Sequence, residues 1–79
     1  MKKTNEDRVL RIVELAEEYF GQGEVSFVGL KYNPVTNDWT AKLKLANYPS
    51  LYETHELSDN ALKALKNRLK KIIRRYNLV

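Results

Sequence analysis

The last twenty residues of this 79-residue chain carry the pattern that most restricts its fold. Between residues 60 and 79, apolar side chains recur at intervals of three and four, which places them on one face of an α-helix. These side chains are Leu62, Leu65, Leu69, Ile72, Ile73 and Tyr76. Ser58 is predicted to be the N-cap, because its hydroxyl can accept a hydrogen bond from a free amide of the first turn. A helix with one apolar face needs a second layer to cover that face.

The opposite face of this predicted helix is strongly basic. Residues 60–79 contain seven Lys or Arg and no Asp or Glu, whereas residues 1–59 contain seven basic and ten acidic residues. The main stripe of cations and its flank consist of Lys63, Lys66, Lys70, Lys71, Arg74 and Arg75. Such an asymmetry of charge indicates a negatively charged partner.

Residues 5–20 predict a first helix. Its buried face is expected to consist of Val9, Ile12, Val13, Ala16, Tyr19 and Phe20. Thr4 and Asp7 have the spacing of a capping box, in which each side chain accepts a hydrogen bond from the other residue's backbone. Gly21 and Gly23 are expected to end the helix, with one of them in a left-handed conformation.

Two segments in the middle of the chain predict an antiparallel hairpin. Residues 25–32 are rich in strand-forming residues, and residues 39–45 alternate strictly between apolar and polar side chains. In the second segment, the inward residues are Trp39, Ala41, Leu43 and Leu45, and the outward ones are Thr40, Lys42 and Lys44. Residues 33–38 form the turn, because Pro34 cannot donate to a strand ladder. Residues 51–57 predict a weaker third strand.

These elements predict one small α+β domain over residues 1–79. The expected architecture is a two-layer sandwich of order α-β-β-(β)-α, with an antiparallel sheet of two to three strands. Both helices pack on one face of the sheet, because each layer has a single apolar face to bury. The expected core is Val9, Val13, Ala16, Phe20, Val28, Leu30, Trp39, Leu43, Leu62, Leu65, Leu69 and Ile72.

The order helix, three strands, helix resembles that of the double-stranded-RNA-binding domain, and the resemblance covers most of the chain. That family carries lysines at the very start of its second helix and a His in the loop between its first two strands. Here the second helix begins with Ser58, Asp59 and Asn60, and residues 33–38 contain no His. The resemblance therefore implies a fold and no binding residue. Residues 39–58 are also similar, in topology alone, to small antitoxin domains.

Composition restricts the chemistry that the chain can carry. It contains no Cys, which excludes disulfides and zinc–thiolate sites and leads us to expect a reducing, cytoplasmic location. The longest uncharged apolar run, residues 25–30, is too short to cross a bilayer, and residues 1–7 lack the hydrophobic stretch of a signal peptide. His55 and Glu53 could supply two metal ligands, fewer than a tight site needs. We therefore expect a non-enzymatic protein without a cofactor or a bound metal.

The charge pattern favours nucleic-acid binding. A contiguous positive surface supplies most of the affinity for nucleic acid, because it releases counterions condensed on the phosphates. The expected phosphate contacts are Lys63, Lys66, Lys70, Lys71, Arg74 and Arg75 on the helix, with Lys42 and Lys44 on the open face of the sheet. Phe27 could lie beside these two lysines and offer a surface on which a base stacks. The pattern does not distinguish DNA from RNA, or single strands from duplexes.

Other interpretations of the same residues stay open. The chain could be a protein–protein interaction module, or a small regulator or inhibitor of a nucleic-acid-processing protein. It would then dock on an acidic protein through the basic helix or through residues 48–52, where Tyr48 and Tyr52 offer aromatic contacts. A homodimer would add stability to a domain with so small a core. A basic helix can also lie on an anionic membrane surface, or simply be solvated.

Overall fold

The computed structural model describes residues 4–77, with side chains up to residue 75. Its elements are α1 (Asn5–Phe20), β1 (Val25–Asn33), β2 (Asp38–Leu45), β3 (Leu51–His55) and α2 (Ser58–Asn77). The strands form one antiparallel sheet in the order β1-β2-β3. The helices contact each other, α1 also contacts β1, and α2 contacts β2 and β3. The predicted α+β sandwich is confirmed, and the weak third strand is part of its sheet.

The start of α1 is encoded locally. The Thr4 hydroxyl accepts a hydrogen bond from the Asp7 amide at 3.1 Å, and the Asp7 carboxylate accepts one from the Thr4 amide at 3.3 Å. This is the predicted capping box, which satisfies two amides that have no partner within the helix. The helix ends at Phe20, because Gly21 follows with φ 108° and ψ 156°.

We expect Gly21→Ala to lower the free energy of unfolding by about 1–3 kcal/mol, because this backbone conformation is open almost only to glycine. An added Cβ would have no atom within 4 Å, so the cost arises from the backbone and not from a collision. Urea denaturation measures the change. Gln22→Ala, at the exposed neighbouring position, should be close to neutral. Equal stability of the two variants would contradict this assignment.

The start of α2 differs from the prediction. Ser58 is the first helical residue, and the Ala61 amide donates at 3.1 Å to the carbonyl of Leu57. The Ser58 hydroxyl accepts a hydrogen bond from Asn5 Nδ2 at 3.0 Å. Ser58 therefore links the first residues of the two helices, a long-range contact that local spacing could not reveal.

The core lies between the sheet and the two helices. The buried residues are Ile12, Ala16, Ala41, Leu43, Leu45, Leu51, Ala61, Leu62, Leu65 and Leu69. Ile12, Ala41 and Leu45 were predicted to face inward but were not in the expected core, and Leu51 and Ala61 are further additions to it. Six expected residues are only partly buried and pack around its edge: Val9, Phe20, Val28, Leu30, Trp39 and Ile72. Val13 is also only partly buried, because Ile12 and Ala16 occupy the centre of the α1 contact face. Among the described residues, no polar or charged side chain is buried.

Candidate nucleic-acid interface

The basic face of α2 points away from the sheet. Leu62, Leu65 and Leu69 are fully buried on the opposite side, so the helix presents its cations to solvent. We call Lys63, Lys66, Lys70, Lys71, Arg74 and Arg75 the α2 basic face. All of these are exposed except Lys66, which is half-buried. The single acidic residue of the helix, Asp59, lies in its first turn, so the later turns carry only positive charge.

Arg68 connects α2 to the edge of the sheet. Its Nη1 donates to the Tyr52 carbonyl at 2.9 Å and to the Glu53 carboxylate at 3.3 Å. A shallow depression of about 660 Å³ lies on this flank of the helix, and it is lined by Arg68, Lys71, Ile72, Arg74 and Arg75. Four basic residues therefore line one shallow surface, where charge-assisted hydrogen bonds can form with an anion such as phosphate.

The sheet has a second basic surface on the side away from the helices. The alternation of β2 buries Ala41 and Leu43 and turns Lys42 and Lys44 outward. In the strand register, Lys44 lies opposite Phe27, and Lys42 lies between Gly29 on one neighbour and Tyr52 on the other. We call this surface the outer sheet face, made of Phe27, Gly29, Lys31, Thr40, Lys42, Lys44, Tyr52 and Thr54.

The eight candidate phosphate contacts form two groups, as the expected position of Lys42 and Lys44 on the open face of the sheet implied. The six on α2 lie on the helical layer, whereas Lys42 and Lys44 lie on the opposite surface of the sandwich. The helices and the buried core separate them. One rigid duplex lying flat on the α2 basic face cannot also lie on the outer sheet face.

Tyr52 lies on the outer sheet face, away from the region in which the sequence interpretation placed it. Tyr48 and Tyr52 were expected to form one docking region, but their rings belong to different surfaces. Tyr48 contacts Phe20 with ring centroids 4.7 Å apart, at the end of α1. The Tyr52 ring instead has the Lys42 ammonium 5.3 Å from its centroid, on the outer sheet face. The alternation of side chains within β3 could have predicted that Tyr52 faces outward. It could not have predicted that Lys42 lies beside it.

The described residues offer little for other chemistry. His55 Nε2 lies 3.8 Å from Glu53 Oε1, and Arg68 contacts the same carboxylate. Within the described part of the chain, no group of three or more acidic or histidine side chains could hold a metal ion. Neither helix, as far as the structure describes it, is long and apolar enough to cross a membrane.

Comparisons with known proteins add no assignment to this geometry. The chain matches no protein-family model, no curated protein and no solved structure.

Proposed function

We propose that this protein binds nucleic acid without catalysing a reaction, and that the α2 basic face contacts the phosphates. One observation carries the proposal: six exposed Lys and Arg side chains lie on a helix whose only acidic residue is in its first turn. Polyanion binding needs such a surface, because each neutralised phosphate releases condensed counterions. A cytoplasmic location is part of the proposal, and the absence of Cys is compatible with a reducing compartment.

The scaffold under these cations supports the proposal. Lys63 and Arg74 lie eleven residues apart on α2, so the basic stripe is about 16 Å long at 1.5 Å per residue. Duplex DNA carries one negative charge per about 1.7 Å of its axis, so a stripe of this length meets several phosphates. The buried leucines of α2 hold the helix against the sheet, and the cations therefore project from a fixed backbone.

The test is fluorescence anisotropy with labelled duplex DNA, duplex RNA and single-stranded DNA over a range of salt concentrations. If the α2 basic face neutralises four to six phosphates, log K should fall against log[salt] with a slope of magnitude about 3–5. Lys70→Gln should reduce this slope by about 1. Arg11→Gln removes the same charge from the exposed side of α1 and should leave the slope unchanged. Absence of binding at low salt would contradict the proposal.

The second candidate function is binding of a protein partner, in a groove near the far end of α2. It has a volume of about 500 Å³ and is lined by Phe20, Leu45, Tyr48, Pro49, Leu51, Ile72 and Arg75. An apolar side chain followed by an acidic one would fit this lining, because aromatic residues and Arg are frequent binding hot spots. Should no nucleic acid bind at any salt concentration, a pull-down after nuclease treatment would test this groove.

A further inference from the structure

We infer that the outer sheet face is a separate binding site for single-stranded nucleic acid, with bases stacked on Phe27 and Tyr52 and phosphates held by Lys31, Lys42 and Lys44. This inference rests on the proposed nucleic-acid binding. It adds a second surface, which binds single strands instead of duplexes. Proteins that bind single strands combine a basic surface with exposed aromatic rings, on which any base can stack. The outer sheet face provides both.

Two large aromatic rings are exposed on this face. Phe27 is 54% exposed and Tyr52 is 49% exposed, so both leave aromatic surface in contact with water. Phe27 lies on β1 and Tyr52 on β3, with β2 between them, and they are offset by two residues along the strands. Strand spacing then places their Cα atoms about 12 Å apart. A single strand with unstacked bases can cross that distance, whereas a duplex keeps its bases inside the helix.

The backbone gives Phe27 its position. The register between β1 and β2 shifts between Val25 and Phe27, and such an irregularity can redirect a side chain at a sheet edge. The ring then lies over Gly29, where an added Cβ would come within 2.6 Å of Phe27 Cζ. Gly29 therefore leaves room for the ring to lie along the strand.

The charges of this face match a polyanion. Lys31 and Lys44 are exposed, and Lys42 lies between the two aromatic residues with its ammonium near the Tyr52 ring. Among the described strand residues on this face, the only acidic one is Asp38 at the hairpin end, where it accepts a hydrogen bond from Thr36 at 2.7 Å. The same lysines disfavour a dimer through this face, because stacking two of these faces would bring like charges together.

The shape of the face also suits flexible nucleotides. A shallow depression of about 630 Å³ crosses all three strands and ends at the β1–β2 turn. Its lining includes Phe27, Lys31, Asn33, Thr40, Lys42 and Tyr52. The Thr40 hydroxyl, which also bonds with the Thr54 hydroxyl at 2.9 Å, and the Asn33 amide at the turn end of the depression can bond with base edges, which a single strand leaves free.

The inference is tested by comparing two probes of equal charge. One is an oligothymidine of about ten nucleotides, within the range of single-strand site sizes, and the other is an abasic strand of the same length. We expect the wild-type protein to bind the oligothymidine at least tenfold more tightly, because only that probe can stack. Oligouridine as a third probe then shows whether DNA or RNA binds better. Equal affinity for the thymidine and abasic strands would overturn the inference.

The matched variant is Phe27→Leu with Tyr52→Leu, which keeps apolar side chains but removes both aromatic rings. It should lose the preference for oligothymidine and bind both strands with similar affinity. Tyr48→Leu is the control, since Tyr48 is equally exposed at 48% but contacts Phe20 instead. Circular dichroism confirms that each variant folds. A double variant that keeps the tenfold preference would contradict stacking at this site.

Two further results separate this inference from the proposed function. Binding of duplex DNA without any preference for bases in a single strand would overturn the sheet site and leave the α2 proposal standing. Absence of binding to every probe would overturn both. Sedimentation of the wild-type protein and of the double leucine variant tests whether a second copy of the chain covers the outer sheet face. A wild-type dimer that the double variant abolishes would assign the outer sheet face to a second copy and contradict the inference.

Discussion

Replacing Leu65 with alanine is expected to lower the free energy of unfolding by about 3 kcal/mol. Leu65 is fully buried on the side of α2 that packs in the core, so the lost side chain leaves a cavity there. A domain of this size has a total stability of about 4–12 kcal/mol, so the substitution removes a large part of it. Urea denaturation followed by circular dichroism measures the change.

Leu65→Met is the matched control for this prediction. Methionine has a similar volume and can fill the same space, so its cost should stay below about 1.5 kcal/mol. If both variants lost less than 1 kcal/mol, Leu65 would not lie at the centre of the core.

The second large effect is expected from reversing two charges on the α2 basic face. Lys70→Glu with Arg74→Glu should weaken duplex binding at least about 100-fold at moderate salt, because two phosphate contacts become two repulsions. The fold should survive, since both side chains are exposed. Negative charge in the last turns of a helix costs about 0.3–1 kcal/mol each through the helix dipole. Anisotropy gives the affinity, and thermal unfolding gives the stability.

A second double variant separates the effect of where the charges lie from the effect of the net charge. Lys31→Glu with Lys44→Glu changes the net charge by the same amount, but both residues lie on the outer sheet face. We expect it to weaken binding of oligothymidine and to leave duplex binding almost intact. Equal loss of duplex binding in the two double variants would mean that net charge, and not the α2 basic face, decides the affinity.

Sequence patterns predicted the elements whose signals are local. The bounds of α1 follow from the Thr4–Asp7 capping box and from Gly21, which act within one turn of the helix. The alternation of β2 predicted which of its side chains face the core, because successive residues of a strand point to opposite faces. Residues 51–57 had a weak pattern, and the strand ends two residues earlier, at His55.

Pairings between distant segments could not be predicted in this way. A period of two gives the face of a residue but not its neighbour on the next strand, so the contact of Tyr52 with Lys42 required the register. The bond from Asn5 to Ser58 spans most of the chain, and it uses a hydroxyl for which the sequence suggested a local role. The separation of the candidate cations into two surfaces, in contrast, was implied by the sequence, because the alternation of β2 turns Lys42 and Lys44 away from the side on which the helices pack.

The bond between Asn5 and Ser58 also reveals the relative direction of the helices. Their first residues are joined, and Phe20 and Ile72 near their far ends line the same groove, so α1 and α2 run side by side in one direction. Counted from the joined ends, the exposed carboxylates of Glu14 and Glu18 are level with the middle turns of α2. α1 carries five carboxylates and two arginines, whereas α2 carries one carboxylate and seven basic residues. We expect the carboxylates of α1 to repel a polyanion that binds α2 as proposed, so that its path is bounded on the α1 flank.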